Sequence, residues 1–72
     1  MATQKELGTK AFTAKDFNKA IEHFTSAIEE NPDDHTLYSN RSACHYNLND
    51  FVKAFDDAEK CIGIKEDWDK GY

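Results

Sequence analysis

The sequence DFNKA at residues 16–20 decides the fold, because it returns 34 positions later as DFVKA at residues 50–54. At the same offset Ile28 recurs as Ile62. The identities cluster where one helical pattern ends and the next begins, which is the part of a helix-turn-helix repeat that tolerates the least change. A sequence period of this length predicts stacked pairs of helices, each pair burying a face that it cannot bury alone.

The helix boundaries follow from capping and turn residues. A first helix is expected over residues 2–14. A second follows Asp16, whose carboxylate suits an N-cap, and ends at the Asn-Pro-Asp-Asp turn of residues 31–34. A third helix is expected over residues 35–48.

The fourth helix is expected to follow an N-cap at Asp50 and to end near Gly63, since glycine is common just past a helix C-terminus. Asp67 is then expected to cap a fifth helix that begins at Trp68 and runs to Tyr72. Each of three helices also shows an apolar stripe at helical spacing. These stripes are Leu7, Ala11 and Ala14; Ala20, Phe24, Ala27 and Ile28; and Ala54, Phe55, Ala58, Cys61 and Ile62.

Composition sets limits on the class of protein. The 72 residues allow one small domain, and a hydrophobic fraction of 39% with 32% charged residues is typical of a globular chain. A net charge of −5 disfavours general binding to nucleic acid, which needs a basic surface. We expect no membrane span and no secretory signal, and the two cysteines show no CxxC spacing, which together favour a cytoplasmic protein with reduced thiols.

The first repeat resembles the tetratricopeptide consensus. The matching positions are Leu7, Gly8, Ala20, Phe24, Ala27 and Pro32. The resemblance implies an all-α, right-handed solenoid. Its repeats would cover residues 1–34 and 35–68 of a single domain, with the start of a third repeat at residues 69–72. The second repeat is more degenerate, with Glu66 where proline is usual.

Two further stretches, LYSNRSA at residues 37–43 and DWDKGY at residues 67–72, resemble the heat-shock-organising co-chaperones. Such modules bind the C-terminal Glu-Glu-Val-Asp peptide of the seventy- and ninety-kilodalton heat-shock chaperones through a carboxylate clamp. Carried over by position, the clamp comprises Lys5, Thr9, Asn40 and Lys70, with an arginine four residues beyond Lys70. The chain departs from that pattern because threonine stands at position 9 in place of asparagine, and because the arginine position lies past Tyr72.

The residues themselves also suggest a binding groove. Lys5 and Thr9 share one face of the first helix, and alternate helices of a stacked array line a common concave surface. Lys5, Asn40 and Lys70 are therefore expected to converge, and two ammonium groups with an amide suit a terminal carboxylate. Groove-flanking positions are expected at Phe12, Ala43 and Tyr46, although packing between helices is the preferred interpretation for Phe12.

Other functions find little support in the sequence. No metal-ligand spacing, phosphate-binding loop or nucleophile with a basic partner is apparent, so no cofactor, metal or catalytic activity is expected. The adjacent acidic pair Asp56-Asp57 is interpreted as part of a solvated face. Two alternatives remain: a tetratricopeptide scaffold for an unrelated partner, and a targeting module of a phosphatase or prolyl isomerase. The fourth helix is also expected to leave apolar side chains uncovered, so the chain is expected to self-associate or exchange helices.

Overall fold

The computed structural model describes the backbone of residues 2–70 and the side chains of residues 2–64. Within these residues the chain forms four α-helices, and each packs against the next. The helices are α1 (Gln4–Thr13), α2 (Phe17–Glu30), α3 (His35–Asn47) and α4 (Phe51–Lys70). The expected all-α helical repeat is thus confirmed. None of the described helices is long and apolar enough to cross a membrane.

The two helix-turn-helix connections are copies of one another. Lys15 and Asn49 both adopt a left-handed backbone, with φ of 63° and 64°. The following amides of Asp16 and Asp50 then bond to carbonyl oxygens five residues back, each at 2.9 Å. This pattern closes the preceding helix, and each aspartate then caps the next one as predicted. The repeated sequence around residues 16 and 50 therefore encodes a repeated turn.

The core lies between α1, α2 and α3. Its buried residues are Ala20, Phe24, Ala27, Leu37 and Cys44, with Ala11, Phe12, Phe17, Ile21 and Ile28 packed around them. Gly8 permits the close approach of α1 and α2, because a Cβ placed there would lie 2.7 Å from Cε1 of Phe24. The glycine of the repeat consensus is thus explained by the aromatic ring that covers it.

Two expected boundaries were wrong. The first helix begins at Gln4 and not at residue 2, because the Thr3 side chain accepts a hydrogen bond from the Glu6 amide and caps it. The fourth helix continues through Gly63 and Asp67 to Lys70, so neither residue marks a helix end. Gly63 has no left-handed backbone, and a glycine within a helix costs only about 1 kcal/mol, which does not by itself end the helix. The expected separate fifth helix from Trp68 is also wrong, because residues 68–70 continue α4, and Tyr72 lies outside the described residues.

The interpretation of Asp57 as a solvated residue was also wrong. Asp57 is 3% exposed and accepts two hydrogen bonds from the Arg41 guanidinium, at 2.8 and 2.7 Å. Arg41 also donates to Thr25 Oγ1 at 3.2 Å, so one side chain joins α2, α3 and α4. The bonds to Asp57 raise the pKa of the Arg41 guanidinium above its ordinary value despite its burial. His45 lies beside the same carboxylate, with Nε2 3.5 Å from Asp57 Oδ2.

Candidate functional site

Lys5 links the first and third helices on one surface. Its ammonium donates a hydrogen bond to Thr36 Oγ1 at 2.9 Å and lies 3.5 Å from Asp34 Oδ2. The two charged side chains are partly exposed, at 46% for Lys5 and 34% for Asp34. The contact shows that the Lys5 face of α1 and the N-terminal turn of α3 adjoin, as the expected stacking of alternate helices requires.

Asp34 is held in place from two sides. Its Oδ1 accepts a hydrogen bond from the Thr36 amide at 3.0 Å, which caps α3, and another from the Thr36 hydroxyl at 2.5 Å. Partial burial acts to raise the pKa of the Asp34 carboxyl. The hydrogen bonds from Thr36 and the nearby Lys5 ammonium outweigh that burial, and the pKa lies below its ordinary value. Asp34 is therefore a fixed negative charge beside Lys5.

Thr9 lies one turn after Lys5 on the exposed side of α1, as expected. Its hydroxyl donates to the Lys5 carbonyl oxygen at 2.9 Å, and the Thr13 hydroxyl repeats this bond one turn later to the Thr9 carbonyl at 3.0 Å. Both threonines line a shallow depression of about 600 Å³ along α1, together with Lys5. The Thr9 proton is thus engaged by its own helix, which leaves the hydroxyl oxygen as an acceptor on the exposed side of α1.

Asn40 lies on α3 one turn beyond Thr36, the residue that Lys5 contacts. Residues four apart share a helix face, so Asn40 belongs to the same side of the molecule as Lys5. The Asn40 side chain is half-buried and makes no hydrogen bond to any residue within the described part of the chain. Toward the described residues its amide therefore retains both donor and acceptor capacity.

Lys70, the fourth expected clamp residue, is the last residue of α4. Its side chain lies outside the described residues, so its convergence with Lys5 and Asn40 stays a prediction. The expected arginine lies beyond Tyr72 and outside the chain.

The three expected flanking residues differ in their surroundings. Phe12 is half-buried and packs edge-on against Phe17 with ring centroids 5.5 Å apart, which confirms the preferred interpretation of helix packing. Tyr46 is 64% exposed and packs in the same way against Phe51 at 5.4 Å. Ala43 is half-buried, and its carbonyl oxygen accepts a hydrogen bond from the Asn47 amide at 2.7 Å.

The contacts of Asp34 and Thr36 with Lys5 were not predicted from the sequence. Both residues were assigned only to a turn and to the start of a helix, and the contacts join residues 29 and 31 positions apart. A pattern that spans only a few residues does not predict a contact between residues so far apart in the sequence. Among the described residues, no cluster of histidine, cysteine or carboxylate side chains has the arrangement of a metal site.

Comparison with known proteins gives the family context for this geometry. No family model matches the chain. The chain is 56% identical over 70 residues to heat shock protein STI1 of Saccharomyces cerevisiae. It is 50% identical over 67 residues to Hsp70-Hsp90 organizing protein 2 of Arabidopsis thaliana, and 48% identical over 68 residues to the STIP1 homolog of Dictyostelium discoideum.

The chain is a homologue of part of the heat-shock organising proteins. The match covers 93–94% of the chain in these three cases but only 12% of the length of each relative. The resemblance to the tetratricopeptide module of heat-shock-organising co-chaperones is therefore confirmed. The chain therefore aligns with one small region of each of these longer relatives.

Proposed function

We propose that the chain is part of a peptide-binding tetratricopeptide module, and not an enzyme, that holds the C-terminal Glu-Glu-Val-Asp tail of cytoplasmic heat-shock chaperones. Lys5 and Asn40 would contact the peptide's carboxylates, Thr9 would lie beside them, and Lys70 would complete the clamp. The name of the Arabidopsis thaliana relative, Hsp70-Hsp90 organizing protein 2, supports heat-shock chaperones as partners.

The observation that carries the proposal is the 2.9 Å hydrogen bond from Lys5 Nζ to Thr36 Oγ1. It brings an ammonium group of α1 to the face of α3 on which Asn40 lies. An ammonium group supplies three donors and a side-chain amide supplies two, which matches a peptide that ends in a carboxylate next to acidic side chains.

The strength of such a site is expected to be moderate. Charge-assisted hydrogen bonds contribute about 1.5–3 kcal/mol each, and ordering the peptide offsets part of that gain. An affinity of about micromolar follows for a complete site. Because the contacts are partly exposed, added salt is expected to weaken the binding.

Titration of a Glu-Glu-Val-Asp peptide tests the proposal. The peptide should be offered as the free acid and with its C-terminus amidated, to the 72-residue chain and to a version extended by one further repeat. We expect the extended version to bind the acid form and to lose binding to the amide. Equal affinity for both forms would exclude the clamp and favour a scaffold for an unrelated partner.

Substitutions identify the residues responsible. Lys5→Ala and Asn40→Ala are each expected to weaken binding by about 1–3 kcal/mol, the usual cost of leaving a charged partner without its hydrogen bond. Lys19→Ala is the matched control, since Lys19 is an exposed lysine on α2. If Lys19→Ala weakens binding as much as Lys5→Ala does, the effect is general electrostatics and not a site.

A further inference from the structure

We propose that Asp34 competes with the ligand's carboxylate for Lys5 and so sets the affinity of the binding site. This inference rests on the proposed function. In the structure a carboxylate already lies beside the ammonium that would receive the peptide, because Asp34 Oδ2 is 3.5 Å from Lys5 Nζ. The Asp34 carboxylate thus occupies a position beside Lys5 that the proposed function gives to a carboxylate of the peptide.

The Asp34 side chain is unable to rotate away from a bound ligand without breaking the hydrogen bonds that its other carboxylate oxygen accepts. Oδ1 accepts hydrogen bonds from the Thr36 amide and the Thr36 hydroxyl, at 3.0 and 2.5 Å. Those bonds form the cap of α3, where the helix dipole also favours a negative charge. The charge of Asp34 therefore stays at the site whether or not a peptide is bound.

Two consequences follow for an incoming carboxylate. It must share or replace Asp34 as the partner of Lys5, and it must approach a fixed charge of its own sign. Both side chains are partly exposed, so water and salt screen this repulsion without removing it. Asp34 is thus expected to weaken peptide binding through Lys5 while it strengthens the start of α3.

Asp34→Asn separates these two roles. Asparagine is as good an N-cap as aspartate, and its amide oxygen accepts the same bonds from Thr36. An amide nitrogen then takes the position of Oδ2 and is unable to accept a hydrogen bond from Lys5. Asp33→Asn is the matched control, because it removes the same charge from the adjacent exposed residue, which makes no hydrogen bond or ion pair among the described residues.

The test is a peptide titration of the four variants Asp34→Asn, Asp33→Asn, Lys5→Ala and Lys5→Ala with Asp34→Asn, in the version extended by one repeat. Asp34→Asn is expected to bind the acid peptide about two- to fivefold more tightly than the unchanged protein, a range set by the modest strength of exposed ion pairs. Asp33→Asn is expected to have a smaller effect. In the Lys5→Ala background the gain from Asp34→Asn is expected to vanish.

The outcomes distinguish this inference from the function on which it rests. If the unchanged protein does not discriminate the acid from the amide peptide, the clamp itself is wrong and the competition has no ligand. If the clamp binds but Asp34→Asn matches Asp33→Asn, only general charge is involved and the competition is refuted. A gain that persists without Lys5 would also refute it. A thermal melt of Asp34→Asn that superimposes on that of the unchanged protein verifies that the cap is retained.

Discussion

The guanidinium of Arg41 holds the buried carboxylate of Asp57 through two hydrogen bonds, at 2.8 and 2.7 Å, and so ties α3 to α4. Asp57→Ala is expected to destabilise the fold by about 2–4 kcal/mol, because it leaves a largely buried cation without its partner. Chemical denaturation monitored by circular dichroism measures the change. Asp56→Ala is the control, since Asp56 is exposed, and it is expected to change stability by less than about 0.5 kcal/mol.

Arg41→Lys extends this prediction. A lysine keeps the charge but is unable to form the paired bonds to Asp57 or to bond Thr25 at the same time, so the variant is expected to lose much of the same stability. Full stability in Arg41→Lys would show that charge alone, and not the forked geometry, holds the two helices together.

The two helical glycines of the described chain predict opposite responses to alanine. At Gly8 a Cβ would lie 2.7 and 2.8 Å from two atoms of the Phe24 ring, which is 1% exposed and has little room to move. Gly8→Ala is therefore expected to destabilise by about 1–3 kcal/mol. At Gly63 a Cβ would meet nothing within 4 Å, so Gly63→Ala is expected to stabilise α4 by about 0.5–1 kcal/mol.

Thermal unfolding of both variants checks this pair. The same chemical change is made at two helical sites, so helix propensity favours alanine in both and only the surroundings differ. A stabilised Gly8→Ala variant would mean that the Phe24 ring yields easily, and would remove the steric explanation for this repeat position.

The cysteines are expected to differ in reactivity. Cys44 is fully buried, and burial raises the pKa of its thiol to about 11. Cys61 is only half-buried. A thiol reagent at pH 8 is expected to label Cys61 first and Cys44 only when the protein unfolds, since the thiolate is the reactive species. Mass spectrometry after timed labelling distinguishes the two residues, and equal labelling rates in the folded protein would contradict the burial.

The same thiol gives a pH dependence with a definite sign. The pKa of Cys44 is raised above the ordinary 9.0 in the folded state, so its contribution to stability is complete below pH 9. It declines as the pH rises from about 9 towards 11, because the unfolded chain releases the proton first. Comparing the melts of the protein and of Cys44→Ala across this range measures the difference, which is expected to shrink as the pH rises.

Local rules predicted the turns well, because the residues that form them are neighbours. Asp16 and Asp50 cap their helices as their sequence context implies. The burial of Asp57 was also visible in principle, since it lies three residues after Ala54 and shares its buried face. The prediction placed both Asp56 and Asp57 on a solvated face, although adjacent residues on a helix point in different directions.

The end of α4 and the pairing of Lys5 with Asp34 were not predictable from neighbouring residues alone. Gly63 does not end α4, since a glycine only lowers helix propensity and the residue that usually stops this helix, a proline, is replaced by Glu66. The pairing of Lys5 with Asp34 depends on how α1 and α3 pack, which no short stretch encodes. The contact of Lys5 with Thr36 supports a shared side for Lys5 and Asn40, whereas the convergence of Lys5, Asn40 and Lys70 stays a prediction.

An uncovered apolar face on α4 predicts that the 72-residue chain self-associates. Phe51, Phe55 and Ile62 share one side of the helix and are 56%, 64% and 57% exposed. Apolar side chains grouped in this way favour association. Sedimentation over a range of concentrations measures it. Phe55→Glu is expected to shift the chain towards monomer, whereas Lys60→Glu places a glutamate on the opposite side of α4 from Phe51 and is expected to change association less.

A monomer at all concentrations, or equal effects of the two substitutions, would contradict this face as the contact. A melting temperature that rises with protein concentration would support it, because association stabilises the folded state by mass action.

Thr9→Asn is expected to tighten binding of the acid peptide to the extended protein. The Thr9 hydroxyl donates its hydrogen bond to the Lys5 carbonyl oxygen, at 2.9 Å, whereas asparagine would present two amide donors to the groove. One added hydrogen bond to a charged group, less the cost of ordering the side chain, predicts a gain of about threefold to tenfold. Stability is expected to change little, since the residue is exposed and the two residue types have similar helix propensity.

Thr13→Asn provides the matched control for this gain. Thr13 has the same exposure and the same bond to a carbonyl oxygen four residues back, at 3.0 Å, but lies one turn farther from Asp34 and Thr36, which Lys5 contacts. Loss of the backbone bond should therefore cost both variants alike, and only Thr9→Asn should gain affinity. If Thr13→Asn binds equally well, the added amide acts through the face of α1 in general. If Thr9→Asn binds more weakly than the unchanged protein, the hydroxyl oxygen at position 9 is itself the group that this ligand requires.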